Sequence, residues 1–187
     1  MQQLYKLFKE TTGICTDTRN IQKESLFIAL KGRNFNGNTF AENAVNRGAR
    51  YAIVDEKEFV TNPKIFYVED CLIFLQKLAN LHRSKFTIPI VGITGSNGKT
   101  STKELITTVL SKKFNTLSTV GNLNNHIGVP LTLLLLNNTH EIAVIEMGAN
   151  KPGDIAELCN ITSPTHGLIT NIGKAHLEGF GDLNGVV

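Results

Sequence analysis

The sequence predicts an α/β protein in two parts, a small mixed α/β domain over residues 1–86 and a parallel-sheet domain over residues 87–187. Three observations predict it. From Ile88 onward, strand-length apolar runs alternate with helical stretches, the rhythm of parallel strands joined by crossover helices. The first of those runs, Ile88-Pro89-Ile90-Val91, leads straight into a glycine-rich turn at 92–98 that ends in Lys99-Thr100. Before the stretch 84–89 the rhythm is different, which places the boundary there.

In the first part, Leu4, Tyr5, Leu7 and Phe8 give a short helical face, and 25–30 is a strand-length apolar run. Thr39 followed by Glu42 reads as a capping box opening a helix that Gly48 ends. Two further strands are expected at 50–55 and 65–69. Asp70 then caps a helix whose apolar positions are Leu72, Leu75, Leu78, Ala79 and Leu81. In the second part, strands are expected at 89–94, 115–119, 141–147 and 166–171, with helices at 99–112, 129–136 and 152–160. Pro130 and Pro152 suit first-turn positions of the last two helices. A sheet of this kind binds ligands at the carboxyl ends of its strands.

Composition narrows the function classes. With 41% hydrophobic and 19% charged residues among 187, the chain is globular rather than disordered. A net charge of +3, without a dense basic stripe, suits small anionic ligands and argues against nucleic acid. Cys15, Cys71 and Cys159 are widely spaced and odd in number, which reads as reduced thiols in the cytoplasm. The longest apolar run, around 129–136, is too short to cross a bilayer, so no membrane insertion is expected.

The chemistry gathers at the predicted strand ends. Backbone N–H groups of a glycine-rich turn entering a helix cradle phosphate; Lys99 adds a full charge and Thr100 a hydroxyl for magnesium. The common phosphate-loop pattern has glycine where this chain has Ile93, so the glycines at 92, 95 and 98 are off-pattern. The alternative is a tight turn that merely tolerates glycine. Glu146 ends the apolar run 142–145, where a carboxylate needs a partner or a cation, or else caps the following turn. The loop 170–181 holds His176, open to a role as metal ligand, base or substrate contact, or as a solvated surface residue. His82, His126, His140 and His166 individually carry less. The amides of 121–128 either read a ligand or serve the local turn.

These residues resemble the Mur ligases, which build the peptide stem of bacterial peptidoglycan. Thr94-Gly95-Ser96-Asn97-Gly98-Lys99-Thr100 is similar to the family's ATP loop, and the off-pattern glycines fit it. Three more segments match in order: 121–130 (Gly-Asn-Leu-Asn-Asn-His-Ile-Gly-Val-Pro), 146–149 (Glu-Met-Gly-Ala) and 173–181 (Gly-Lys-Ala-His-Leu-Glu-Gly-Phe-Gly). In the first part, Thr16-Asp17-Thr18-Arg19, 25–27 and 29–32 are similar to the family's UDP-binding domain. The resemblance implies a UDP-muramoyl-peptide-binding domain followed by an incomplete parallel-sheet, P-loop ATP-binding domain.

It further implies an ADP-forming amide ligase that uses ATP and Mg2+ and forms an acyl phosphate. The asparagine-rich 121–130 segment favours the branch that joins D-alanyl-D-alanine to UDP-N-acetylmuramoyl-tripeptide over another branch such as MurE. A folylpolyglutamate synthase would share the ATP loop but lack the UDP-type first domain. By resemblance, residues 94–101, through Ser101, bind the nucleotide, and Lys99 contacts its β- and γ-phosphates. Thr100, Glu146 and His176 hold magnesium; Asn124 and Asn125 face the substrate, with Lys99, His176 and Asn125 the catalytic set. Thr16, Asp17, Thr18 and Arg19 take the uridine nucleotide. A monomer is expected.

Two departures stand out. Asn36-Gly37-Asn38 replaces the family's frequent Asp-Gly-His, which puts substrate contacts from that loop in question while leaving its fold expected. No lysine follows Lys174, whereas the family places a lysine, carbamylated in many members, after the His-Leu-Glu segment to complete a second magnesium site. A third domain and further sheet strands are also missing from the expected set. An N-terminal portion of a ligase without turnover of its own, or a non-catalytic nucleotide-binding module, is therefore the expectation for these 187 residues.

Overall fold

Two four-stranded sheets, each wholly parallel, organise the chain. The structure, a computed structural model, describes residues 1–173 and Gly179. The chain divides into two compact units, Met1–Leu78 and Ala79–Val187.

The first unit runs α1 (Gln2–Lys9), β1 (Ile14–Cys15), β2 (Leu26–Ile28), β3 (Lys31–Gly32), β4 (Phe35–Asn36), α2 (Ala41–Asn46), β5 (Tyr51–Val54), β6 (Ile65–Tyr67) and the start of α3 (Cys71–Arg83). Its sheet order is β1-β2-β5-β6. Leu26, Phe27 and Ile28 are all buried, as a strand covered on both faces requires of its side chains. Asp70 caps α3 as the sequence predicts, its Oδ1 accepting from the Ile73 amide at 2.8 Å. Cys71 and Phe74 join Leu75, Leu78 and Ala79 in the core, whereas Leu72 and Leu81 are only half-buried.

The predicted capping box at Thr39 does not form. A 3₁₀ turn at Gly37–Phe40 leads into α2, and the Thr39 hydroxyl closes that turn by donating to the Asn36 carbonyl at 2.8 Å. A hydroxyl spent inside the entering turn is unavailable to the helix, and Phe40 stands at the N-cap without a side-chain bond. The helix does end just before Gly48.

Asn38 explains why the Asn-Gly-Asn loop keeps its fold. It is fully buried, and its Nδ2 donates to Asp55 Oδ1 and Asn36 Oδ1, both at 2.8 Å. Its Oδ1 accepts from the Asp55 amide at 2.9 Å. Asp55 also accepts from the Cys71 amide and pairs with Lys31 at 2.9 Å. A buried network satisfied at every member rigidifies what it joins, here the ends of β5, α3 and the β3–β4 hairpin. Burial alone would raise the Asp55 pKa, but Lys31, Asn38 and the Cys71 amide outweigh it and hold the carboxyl below its ordinary value.

The second unit continues from α3 through β7 (Ile90–Thr94), α4 (Lys99–Leu110), β8 (Thr116–Ser118), α5 (Gly128–Leu133), β9 (Ile142–Glu146), α6 (Asp154–Thr162) and β10 (His166–Ile169). All four predicted strands are present, in the order β10-β7-β9-β8. Pro130 lies in the first turn of α5, but Pro152 falls outside α6. The Asp154 carboxylate accepts from the Asn150 and Lys151 amides and so holds 150–153 as a turn, which delays the helix start. The end of α3 ties down helix carbonyls: Asn80 donates to Asn160 and Ile161, and Arg83 to Thr162 and Ser163. His82 Nε2 donates to the Leu136 carbonyl at 2.8 Å, a packing role for this histidine. Among the described residues no helix is long and apolar enough to cross a membrane.

Asn38→Ala leaves the Asp55 amide without its partner, removes one of the donors to the carboxylate, and is expected to cost about 2–3 kcal/mol in urea unfolding. Because a depressed carboxyl pKa stabilises above the unfolded value of roughly 4 and loses that contribution as pH falls, the variant also shows a shallower acid limb. An unchanged urea midpoint would show that the network contributes nothing.

Candidate functional site

The parallel sheet of the second unit brings the carboxyl ends of β7, β8 and β9 to one edge. In register, Ile93 lies opposite Glu146 and Thr94 opposite Ile169. Ile93, which stands where the common loop pattern has glycine, is a fully buried strand residue. The turn begins two residues later, at Gly95. Gly95 has φ +134, and a Cβ there would collide with the Thr170 hydroxyl. Gly98, at φ +77, is the N-cap of α4, so both glycines answer to geometry.

The loop is stitched to the segment that leaves β10. The Ser96 amide donates to the Asn171 carbonyl at 3.0 Å, and the Asn97 amide to Asn171 Oδ1 at 3.1 Å. The Asn97 carbonyl accepts from Thr170 Oγ1 at 2.6 Å and from Asn171 Nδ2 at 2.9 Å. Ser96 Oγ exchanges bonds with the Gly173 backbone at 2.9 and 3.0 Å. With those two amides engaged internally, the first turn of α4, including Lys99, Thr100 and Ser101, presents the amides that have no partner within the helix. Lys99 folds back onto the loop, its Nζ donating to the Gly95 carbonyl at 2.6 Å.

Beside this loop sits a buried carboxylate. Glu146 is 1% exposed, at the last position of β9. Its Oε1 accepts from Asn124 Nδ2 at 2.8 Å and from the Thr100 hydroxyl at 3.2 Å. Its Oε2 is buried with no hydrogen-bond partner. A buried carboxylate oxygen left unpaired costs several kcal/mol, which a cation would relieve. A carboxylate and a hydroxyl are hard oxygen donors that fit magnesium. No group of three or more His, Cys, Asp or Glu suited to a metal occurs among the described residues.

Lys99, Thr100, Asn124 and Glu146 are therefore brought together. Asn125 is adjacent, but its Oδ1 is committed to α5, accepting from the Ile127 and Gly128 amides. A shallow hollow of about 20 Å³ is lined by Asn125, His126, Gly148, Asn150 and Asp154, among others. Thr16, Asp17, Thr18 and Arg19 lie in the first unit, where Asp17 caps a 3₁₀ turn and accepts from the Arg19 amide. The Arg19 guanidinium, 2.6 Å away, brings the Asp17 pKa down to about 2. His176 lies outside the described residues. Sequence reasoning missed Thr170 and Asn171, although they sit at the predicted end of the fourth strand. It also missed Lys103, a buried cation hidden among ordinary helix formers.

A parallel sheet whose strand feeds a glycine turn and a Lys-Thr helix, with a carboxylate ending the neighbouring strand, defines a P-loop nucleotide-binding domain. The family model described as the Mur ligase middle domain matches residues 93–187, and that described as the Mur ligase family, catalytic domain, matches residues 10–83. The chain belongs to the Mur ligase family. It is 47% identical over 167 residues to the UDP-N-acetylmuramoyl-tripeptide–D-alanyl-D-alanine ligase of Synechocystis sp., covering 88% of this chain and 37% of that protein. MurF from Acinetobacter baumannii superposes with a TM-score of 0.90 at 35% identity, covering 99% of this chain and 43% of that one. MurF from Thermotoga maritima, solved in complex with ADP, gives 0.86 at 38% identity, with 94% and 41% covered. The chain thus spans well under half the length of each.

Glu146→Gln replaces a buried charge with a neutral amide that keeps an oxygen for Thr100 and Asn124. Without divalent cation the variant is expected to be more stable than the parent by about 1 kcal/mol in thermal unfolding. A lower melting temperature would show that the carboxylate is already compensated.

Proposed function

We propose that this chain supplies the nucleotide-handling part of an ATP-dependent ligase of peptidoglycan precursor synthesis, one that joins D-alanyl-D-alanine to UDP-N-acetylmuramoyl-tripeptide. The observation that carries the reading is the Glu146 carboxylate, buried with one oxygen unpaired and bonded to the Thr100 hydroxyl at the mouth of the phosphate loop. Similarity to UDP-N-acetylmuramoyl-tripeptide–D-alanyl-D-alanine ligases over both units supports the choice of substrates. We assign residues 1–86 to the UDP-muramoyl-peptide and 87–187 to ATP.

In this reading the tripeptide carboxylate attacks the γ-phosphorus of ATP, giving an acyl phosphate and ADP. The amine of D-alanyl-D-alanine then attacks the acyl carbon, and the tetrahedral intermediate expels phosphate. Such transfers depend on positioning and charge neutralisation. The amides of the first turn of α4 bind the phosphates, and Lys99 swings from the Gly95 carbonyl to their oxygens. Thr100 and Glu146 hold magnesium, which when bound neutralises charge on the β- and γ-phosphates. Asn124 orients Glu146. Asn125, its oxygen committed to α5, offers its amide nitrogen to the acyl substrate. His176 is assigned to a second magnesium ion on the resemblance alone. Thr16, Asp17, Thr18 and Arg19 take the uridine nucleotide. The three cysteines are free, which suits a cytoplasmic protein, and we take it to be a monomer.

Calorimetric titration tests the two units separately. ADP is expected to bind more tightly with magnesium than with a chelator, and Lys99→Ala to weaken it by about tenfold or more. UDP-N-acetylmuramoyl-tripeptide is expected to bind the same variant unchanged. A folded chain that shows no magnesium-dependent nucleotide binding refutes the reading.

A further inference from the structure

Lys103 lies one turn beyond Thr100 on α4 and is 1% exposed, among the largest fully buried side chains. Taking an ammonium out of water is expensive, and an aliphatic side chain of similar volume would fill the same space without that penalty. Its Nζ donates to the Glu104 carboxylate at 2.6 Å, on the exposed side, and to the Thr119 carbonyl at 2.7 Å, on the buried side.

Thr119 is held from three directions. Its amide donates to the Val144 carbonyl at 3.1 Å, continuing the β8–β9 ladder. Its hydroxyl accepts from the Glu146 amide at 2.9 Å, and its carbonyl accepts from Lys103. Glu146 in turn accepts from Thr100, which brings the path back to α4. Thr100, Lys103, Thr119 and Glu146 therefore form a closed ring. Two of its members sit at i and i+3 on one helix face, and the other two sit at the ends of neighbouring strands.

We infer that Lys103 is a positioning residue for the cation. By clamping α4 to the end of β8, it sets the gap between the Thr100 hydroxyl and the Glu146 carboxylate. The inference rests on the nucleotide reading above and extends it to a side chain that touches neither phosphate nor metal. Partners behind metal ligands change affinity by about 10- to 100-fold when removed.

The test compares ADP affinity with magnesium and with a chelator for the wild type, Lys103→Met and Thr119→Val. Methionine keeps the aliphatic volume without the ammonium; valine keeps the Thr119 carbonyl but removes the hydroxyl that receives Glu146. Both variants are expected to lose about tenfold of the magnesium-dependent gain, while affinity in chelator shifts by less than about twofold. A merely structural lysine would lower the melting temperature and leave that ratio alone. A folded Lys103→Met with the wild-type ratio overturns the inference. Should that variant fail to fold, a wild-type ratio in Thr119→Val overturns it instead. A wild type with no magnesium-dependent gain brings down the nucleotide reading itself.

Discussion

The pairing of β7 with β9 is the contact on which the second unit depends. Both strands are central, so most of their side chains are apolar and buried, and β10 and β8 attach on either side. Because the two strands are parallel, their carboxyl ends coincide. One end delivers the glycine turn and the other delivers Glu146. The relation between phosphate cradle and carboxylate is thus a matter of strand register, set by main-chain bonds and a core of Ile90, Ile93, Ala143, Val144 and Ile145. No flexible side chain has to find its way there.

Two carboxylates, one partly and one fully buried, show how one fold uses the same chemistry for opposite ends. Asp55 in the first unit receives bonds from Asn38, Lys31 and the Cys71 amide. It is satisfied, and its charge helps lock loops together. Glu146 in the second unit is the more deeply buried of the two, yet one of its oxygens receives nothing from the protein. A network that is complete stabilises; one that is left open stores a demand for a ligand. The difference lies in how many donors the surrounding loops aim at the carboxylate.

Much of this was legible in the residues because it is local. Strand lengths, the turn at 95–98, the Asp70 cap and the carboxylate closing an apolar run all follow from neighbours in sequence. What escaped is what depends on distant partners. Thr39 reads as a helix cap until the 3₁₀ turn at Gly37–Phe40 claims its hydroxyl. Pro152 reads as a first-turn residue until Asp154 folds the preceding amides onto its carboxylate. The β3–β4 hairpin was too short for any periodicity to register. Asn171 and Lys103 are ordinary residues in a loop and a helix. Only the fold puts one 3.1 Å from the Asn97 amide and the other 2.7 Å from the Thr119 carbonyl.

The stitching of Ser96 and Asn97 to Thr170, Asn171 and Gly173 carries a mechanical meaning. Phosphate loops are often pictured as hung between one strand and one helix. Here the loop shares a seam with the backbone that leaves β10, the strand directly beside β7, so turn and exit segment are held to each other. Gly173 is thereby an anchor point on the glycine loop itself. A pull on that anchor is felt at the loop without passing through the sheet.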